Sequence, residues 1–226
     1  MIVGIIGAGT MGSGIAQAFA QTDGYTVKLC DINEEFAAGG KKKIAKGFEK
    51  LIAKGKIDQA KADETLSKIT TGTREIVSDC DLVVEAALER MDLKKELFKA
   101  LQGICKPDAI FATNTSSLSI TEISNGLDRA VVGMHFFNPA PVMKLVEVIA
   151  GITTPDETVE KIKAIAVEIG KTPVQVKEAA GFVVNRILVP MINEAVGIYA
   201  DGTASAEDID TAMKLGANHP MLPLAF

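Results

Sequence analysis

The chain has no tryptophan, only two tyrosines and only two histidines among its 226 residues. Aromatic residues make up 5% of it, too few for the stacking platforms that hold single-stranded nucleic acids. Basic residues are outnumbered by acidic ones, 24 to 29, and the net charge of −5 argues against a general nucleic-acid or membrane-surface binder. The cysteines, Cys30, Cys80 and Cys105, are odd in number and lack C-x-x-C spacing, so they read as reduced, buried thiols suited to the cytoplasm. His135 and His219 are far apart and lack H-x-x-x-H spacing, so no metal centre is expected. G-x-S-x-G is missing, which leaves a nucleophile elbow unsupported. No apolar run is long enough to span a bilayer. Met1 leads directly into a strand-like run, leaving no room for a signal peptide.

What the chain does have is apolar bulk and a glycine-rich opening. At 47% hydrophobic it can bury a sizeable core. The run Ile2-Val3-Gly4-Ile5-Ile6 reads as a buried strand and leads into Gly7-Ala8-Gly9-Thr10-Met11-Gly12, followed by the helix-period stretch Ile15–Ala20. A second apolar run, Tyr25–Cys30, ends at Asp31, roughly 20 residues beyond the loop, as a dinucleotide fingerprint requires. Gly7 would permit the tight turn, Gly9 the close approach of a diphosphate, and Gly12 the packing of helix on strand. Thr10 and Met11 open the helix whose free N–H groups would face that diphosphate. Asp31 can accept hydrogen bonds from both ribose hydroxyls. It would repel a 2′-phosphate, and no Arg follows it in Ile32-Asn33-Glu34, so the pattern favours NAD over NADP.

Further apolar runs, Leu82–Ala87, Ala109–Thr113, Val131–Phe137, Leu145–Ile149 and Thr172–Val176, alternate with helix-period segments. The early ones are continuous rather than alternating, as in parallel strands covered on both faces. Helices between them imply right-handed crossovers, so an α/β fold with a doubly wound Rossmann-type sheet is expected. Residues 34–68 interrupt the rhythm as a helical hairpin around Gly55-Lys56-Ile57-Asp58. Ile44, Phe48 and Leu51 mark one face of it, and Lys43, Lys46, Lys50 and Lys54 another. The lysine row reads first as a solvated face, with a phosphate-binding arm as the competing account.

Beyond Gly181 the pattern becomes helical. One long apolar helix runs from Phe182 to Ala200 with a bend at Pro190, and a second starts on the capping sequence Ser205-Ala206-Glu207-Asp208 and ends at Gly216. The expected domains are therefore 1–180, nucleotide-binding, and 181–226, all-helical.

His135 follows a strand-like run, at the strand end that lines a ligand crevice in open sheets. Glu147 stands among apolar residues, where a carboxylate needs a partner. Pairing with His135 would fix the imidazole tautomer and raise its basicity, and a structural His beside a surface Glu is the competing account. Asn114-Thr115-Ser116-Ser117 follows another strand end, where it can cap a helix or hold a ligand oxygen. Asn185 sits in an apolar helix segment and needs a partner. His219, in Asn218-His219-Pro220, reads as a loop residue.

These stretches resemble the 3-hydroxyacyl-CoA dehydrogenase family along the whole chain. The likeness rests on Gly7–Gly12, Asn114–Ser117, Gly133-Met134-His135-Phe136-Phe137-Asn138-Pro139, Pro141–Val148, Gly181-Phe182-Val183-Val184-Asn185-Arg186 and Asp208–Gly216. Within the family the bacterial branch acting on 3-hydroxybutyryl-CoA is the nearest in pattern. The resemblance implies reversible oxidation of a (3S)-3-hydroxyacyl-CoA to the 3-ketoacyl-CoA with NAD taking the hydride. The implied substrates are 3-hydroxybutyryl-CoA and acetoacetyl-CoA, and the implied assembly is a homo-oligomer.

The resemblance makes His135 the general base and Glu147 the carboxylate that orients it. Ser116 and Asn185 would hold the substrate C3 oxygen, and Glu89, Lys94, Asn114 and Asn138 would lie by the cofactor. Lys54 and Lys50 would meet the phosphates of coenzyme A. Three departures stand out. The stretch from Ser116 to His135 is slightly shorter than the family pattern, Leu222 follows His219-Pro220-Met221 where the family has Gly, and the pattern continues past residue 226, so an incomplete helical domain is expected. Two other readings compete: a dinucleotide-binding fragment with little turnover, and a related 3-hydroxyacid dehydrogenase.

Overall fold

A computed structural model describes residues 1–220 and 222–224; Met221, Ala225 and Phe226 lie outside the described residues. The chain divides into two units, Met1–Ala179 and Ala180–Phe226.

The first unit is built on an eight-stranded sheet. In chain order its elements are β1 (Ile2–Ile6), α1 (Thr10–Ala20), β2 (Thr26–Cys30), α2 (Glu34–Ala53), α3 (Gln59–Ser67), β3 (Ile69–Gly72), a 3-10 turn (Arg74–Val77), β4 (Leu82–Glu85), α4 (Met91–Gln102), β5 (Ile110–Thr113), α5 (Ile120–Ser124), β6 (Val131–Phe136), β7 (Leu145–Ala150), α6 (Asp156–Glu168) and β8 (Thr172–Lys177). The strand order is β3-β2-β1-β4-β5-β6-β7-β8. Chain direction reverses laterally between β1 and β4, the switch point at which open α/β sheets bind ligands. The apolar strand runs are buried because helices cover the sheet, and Val3, Ile5, Leu29, Leu82, Val84 and Ala112 join α1's Ile15 and Phe19 in one core.

The helical hairpin forms as the sequence predicts. Asn33 caps α2 by accepting from the Phe36 N–H at 2.8 Å. Asp58 caps α3 in the same way, accepting from the Lys61 N–H at 2.7 Å. Ile44 and Phe48 are buried, and Lys43, Lys46, Lys50 and Lys54 are exposed.

Two features of the sheet differ from expectation. The hairpin returns into a strand, β3, which pairs with β2 and forms the sheet edge. Its four residues, Ile-Thr-Thr-Gly, are too few to stand out in an apolar pattern. Furthermore, β7 runs antiparallel to β6. Only residues 137–144 join them, too few for the crossover helix that a parallel pair needs.

In the second unit, α7 (Val184–Ala200) contains Pro190, and α8 (Ala206–Gly216) starts on Ser205, whose hydroxyl accepts from the Asp208 N–H at 3.1 Å. His219 follows α8 in a loop, its N–H donating to the Met213 carbonyl at 3.1 Å. Among the described residues no helix is long and apolar enough to cross a membrane.

Candidate active site

The glycine turn is shaped by its neighbours. Gly7 has φ +103°, and a Cβ there would stand 2.6 Å from the Ala86 carbonyl oxygen. A Cβ on Gly12 would lie 1.7 Å from the Gly7 oxygen, so α1 can meet β1 this closely only through glycine. Gly9 is different: a Cβ there meets no atom of the chain within 4 Å. Internal packing does not require glycine at this point, whereas a diphosphate seated on the α1 N-terminus would. Asp31 stands at the end of β2, where its Oδ2 accepts from the Ala8 N–H and its Oδ1 from the Ile32 N–H, both at 2.7 Å. The acid thus holds the glycine loop while its remaining lone pairs stay available.

Asp31 borders two cavities. One, of about 390 Å³, is also lined by Ile6, Gly7, Ile32, Thr73, Arg74, Leu93 and Leu97. The other, of about 360 Å³, is lined by Gly9, Phe36, Lys42 and Lys43. The first has the mixed apolar and carboxylate lining suited to an adenosine. Sequence reasoning missed Thr73 and Arg74 because it missed β3, which delivers them; the β-branched run Ile69-Thr70-Thr71 before Gly72 is the signal that could have found them. An arginine therefore does line Asp31's cavity, although none follows it in the sequence. Arg74 is paired with Glu75 at 3.5 Å.

A third cavity, of about 340 Å³, gathers Met11, Glu89, Lys94, Asn114, Ser116, His135 and Asn138. They come from the glycine-loop helix, the segment after β4, α4, the β5 end and the β6 end, which the switch point brings together. His135 is opposite Glu147 in the β6–β7 register, and its Nδ1 lies 2.8 Å from Glu147 Oε2. Both side chains are buried. A carboxylate only accepts, so the hydrogen stands on Nδ1 and Nε2 is the basic nitrogen. Phe137 packs against the imidazole with ring centroids 4.5 Å apart. Asn114 is fixed by accepting from the Phe136 N–H at 2.8 Å.

Ser116 is set by Glu89, whose Oε1 accepts from the Ser116 N–H at 2.8 Å and from the Ser116 hydroxyl at 3.3 Å. The Thr115 hydroxyl donates to the same oxygen. Burial alone would raise the Glu89 pKa, but the Thr115 hydrogen bond, the Lys94 charge and the Ser116 N–H outweigh it and hold the carboxyl below the usual range. Behind Glu89 lies a carboxylate that the sequence did not single out. Glu85, fully buried at the end of β4, takes the Lys94 ammonium on both oxygens at 2.7 and 2.8 Å, the Ala87 N–H at 2.7 Å and the Thr113 hydroxyl at 2.6 Å. Lys94 also reaches Glu89 Oε2 at 3.2 Å. Its three N–H donors are thus matched by three carboxylate oxygens.

The other expected residues are carried by α2 and α7. Lys50 is in the last turn of α2 and Lys54 caps it, and both are exposed. Asn185 is in the first turn of α7, in the second unit. Burial, above all, pushes the Cys30 and Cys80 thiols up to about 12 and raises Cys105, so these are inert core residues. Among the described residues no cluster of histidine, cysteine or acidic side chains could hold a metal ion.

A buried imidazole–carboxylate pair lies on a cavity at the carboxyl ends of the strands of a doubly wound sheet, and the class that this fold and site define is the NAD-dependent dehydrogenase. The sequence profile of the 3-hydroxyacyl-CoA dehydrogenase NAD-binding domain matches residues 2–179. That family's C-terminal domain matches residues 181–226. The chain is 53% identical over 228 residues to a 3-hydroxybutyryl-CoA dehydrogenase of Clostridioides difficile, covering all of this chain and 81% of that one. It is 48% identical to the human mitochondrial hydroxyacyl-coenzyme A dehydrogenase, over 98% of this chain and 73% of the relative. The crystal structure of (S)-3-hydroxybutyryl-CoA dehydrogenase from Ralstonia eutropha superposes with a TM-score of 0.94 at 46% identity, covering 99% of this chain and 80% of that one. The chain belongs to the 3-hydroxyacyl-CoA dehydrogenase family, and NAD is its cofactor. A non-productive dinucleotide-binding fragment and a related 3-hydroxyacid dehydrogenase are not favoured by these matches.

Proposed function

We propose that this protein interconverts (3S)-3-hydroxybutyryl-CoA and acetoacetyl-CoA, with His135 as general base and acid. The observation that carries this reading is the His135–Glu147 pair at 2.8 Å, placed on a cavity shared with Met11 of the glycine-loop helix. Gly7, Gly9, Thr10, Met11 and Gly12 would hold the diphosphate, Asp31 a ribose, and Glu89, Asn114 and Asn138 the nicotinamide end. Lys94 would serve that end through Glu89 rather than by its own saturated donors. The bound nicotinamide supplies the hydride acceptor.

In the oxidation direction, His135 Nε2 takes the C3 hydroxyl proton. Glu147 offsets the imidazolium charge and keeps the ring in place. In the reverse direction the same imidazolium returns the proton to the C3 oxygen. Ser116 would donate to that oxygen, where negative charge develops. Lys50 and Lys54 would face coenzyme A phosphates, an arrangement supported by their exposed row on α2.

The exposed Ile187, Val189, Val196 and Tyr199 of α7 support a homo-oligomer. The three reduced, buried cysteines support a cytoplasmic setting. The test is the loss of NADH absorbance on mixing protein, NADH and acetoacetyl-CoA. Turnover should fall about 10²–10⁴-fold in His135→Gln. Free acetoacetate reduced as fast as the thioester would reject the acyl-CoA assignment.

A further inference from the structure

Two carboxylates share one ammonium at the edge of the His135 cavity. Glu85 binds Lys94 with both oxygens, and Glu89 Oε2 reaches the same Nζ at 3.2 Å. The other Glu89 oxygen is met by the Thr115 hydroxyl and the backbone N–H groups of Ser116 and Ser117, at 2.8 Å from Ser116 and 3.3 Å from Ser117. Those donors are neutral, so they stabilise the carboxylate without cancelling its charge. The cluster therefore carries one uncompensated negative charge. The charged or titratable residues lining the cavity are Glu89, Lys94 and His135. Behind them stand Glu85 and Glu147, both buried and both acidic. Lys94 is the only lysine or arginine among the described lining residues, and it is already committed. A charge on the wall of a protein cavity acts more strongly than one in open solvent.

We infer that the Glu85–Lys94–Glu89 cluster biases the site electrostatically toward the oxidised, cationic nicotinamide over the neutral reduced ring. This rests on the reading of the His135 cavity as the nicotinamide site. Glu85 is then a positioning residue: it holds Lys94, which holds Glu89 against the Ser116 turn. Glu89 carries the charge that the cofactor experiences. In ketone reduction the ring becomes cationic as its hydride leaves, and the cluster favours that charge. The equilibrium on the protein is accordingly displaced toward NAD and the hydroxyacyl thioester.

Charge arithmetic supplies the test. Dissociation constants of the NAD and NADH binary complexes are measured by calorimetry on the full chain at fixed ionic strength. Glu89→Gln brings the cluster to zero, and the ratio Kd(NAD)/Kd(NADH) should rise about three- to tenfold. Lys94→Met leaves two negative charges, and the ratio should fall by a similar factor. The double variant Glu85→Gln/Lys94→Met retains one negative charge on Glu89, and its ratio should return close to that of the parent. The double variant and the partly exposed Glu89→Gln keep the proposal testable if Lys94→Met alone does not fold. Equal weakening of both cofactors overturns the inference, leaving the cluster as scaffolding. Unchanged affinity for both overturns it too, and with it the placement of the nicotinamide in this cavity.

Discussion

His135 and Glu147 face each other across the antiparallel pairing of β6 with β7, and the register that makes them neighbours also buries them both. Directly opposed residues in such a ladder place their Cβ atoms about 4.5–5.5 Å apart, close enough for the 2.8 Å contact without distortion. The short β6–β7 connection thus does chemical as well as topological service. It reverses the strand and brings a carboxylate to the His135 imidazole.

Glu147→Gln keeps the size of that side chain and removes its charge. The imidazolium formed on proton transfer then lacks its counter-charge, and the amide can settle with its N–H2 toward Nδ1. Steady-state kcat should fall about 10²–10⁴-fold with little change in NADH affinity. An unaltered kcat would reduce Glu147 to a packing role.

Asp31 combines two tasks, holding the Ala8 N–H at 2.7 Å and lining the same cavity as Arg74. In Asp31→Ala the repulsion of a 2′-phosphate disappears while Arg74 remains. NADH should bind at least about tenfold more weakly and NADPH should lose much less, so the preference narrows. A preserved NADH-to-NADPH ratio in parallel titrations would count against the ribose role.

Lys54→Ala removes an exposed cation from the C-terminal end of α2. If that end meets coenzyme A phosphates, KM for acetoacetyl-CoA should rise about three- to tenfold and KM for NADH should stay put. Equal effects on both substrates would reject the assignment.

Glu89 has its pKa lowered in the folded protein, so its contribution to stability is present above its unfolded value and is lost as pH falls through the folded one. Wild type should therefore be more stable than Glu89→Gln near neutrality, on the order of 1 kcal/mol once its partial solvent exposure is allowed for. Thermal melts from pH 7 down to pH 3 should show that gap closing. A gap constant across the series would mean that the charge of Glu89 is not what stabilises the turn.

Much of the first unit was legible because its signals are local. The glycine spacing, the continuous apolar runs and the helix-period hairpin are each written within a short stretch of chain, and β1, α1, β2, the α2–α3 hairpin and β4 formed where that pattern put them. β3 was not legible, since four residues with one buried isoleucine look like a loop until β2 supplies a ladder. Glu85 escaped notice for a related reason. At the end of an apolar run it resembles a surface acid, and only the arrival of α4 with Lys94 and of β5 with Thr113 shows that it is buried and saturated.

Sequence alone determined the alternation of strands and helices, the dinucleotide turn and its acid, and which side chains were candidates for chemistry, because backbone preference and hydrophobic period operate over short stretches of chain. Tertiary structure decided which of those candidates meet: the antiparallel register joining His135 to Glu147, the ammonium shared by Glu85 and Glu89, and the approach of Arg74 to Asp31. Such meetings depend on the order in which strands are laid side by side, and that order follows from packing the whole sheet rather than from any one segment.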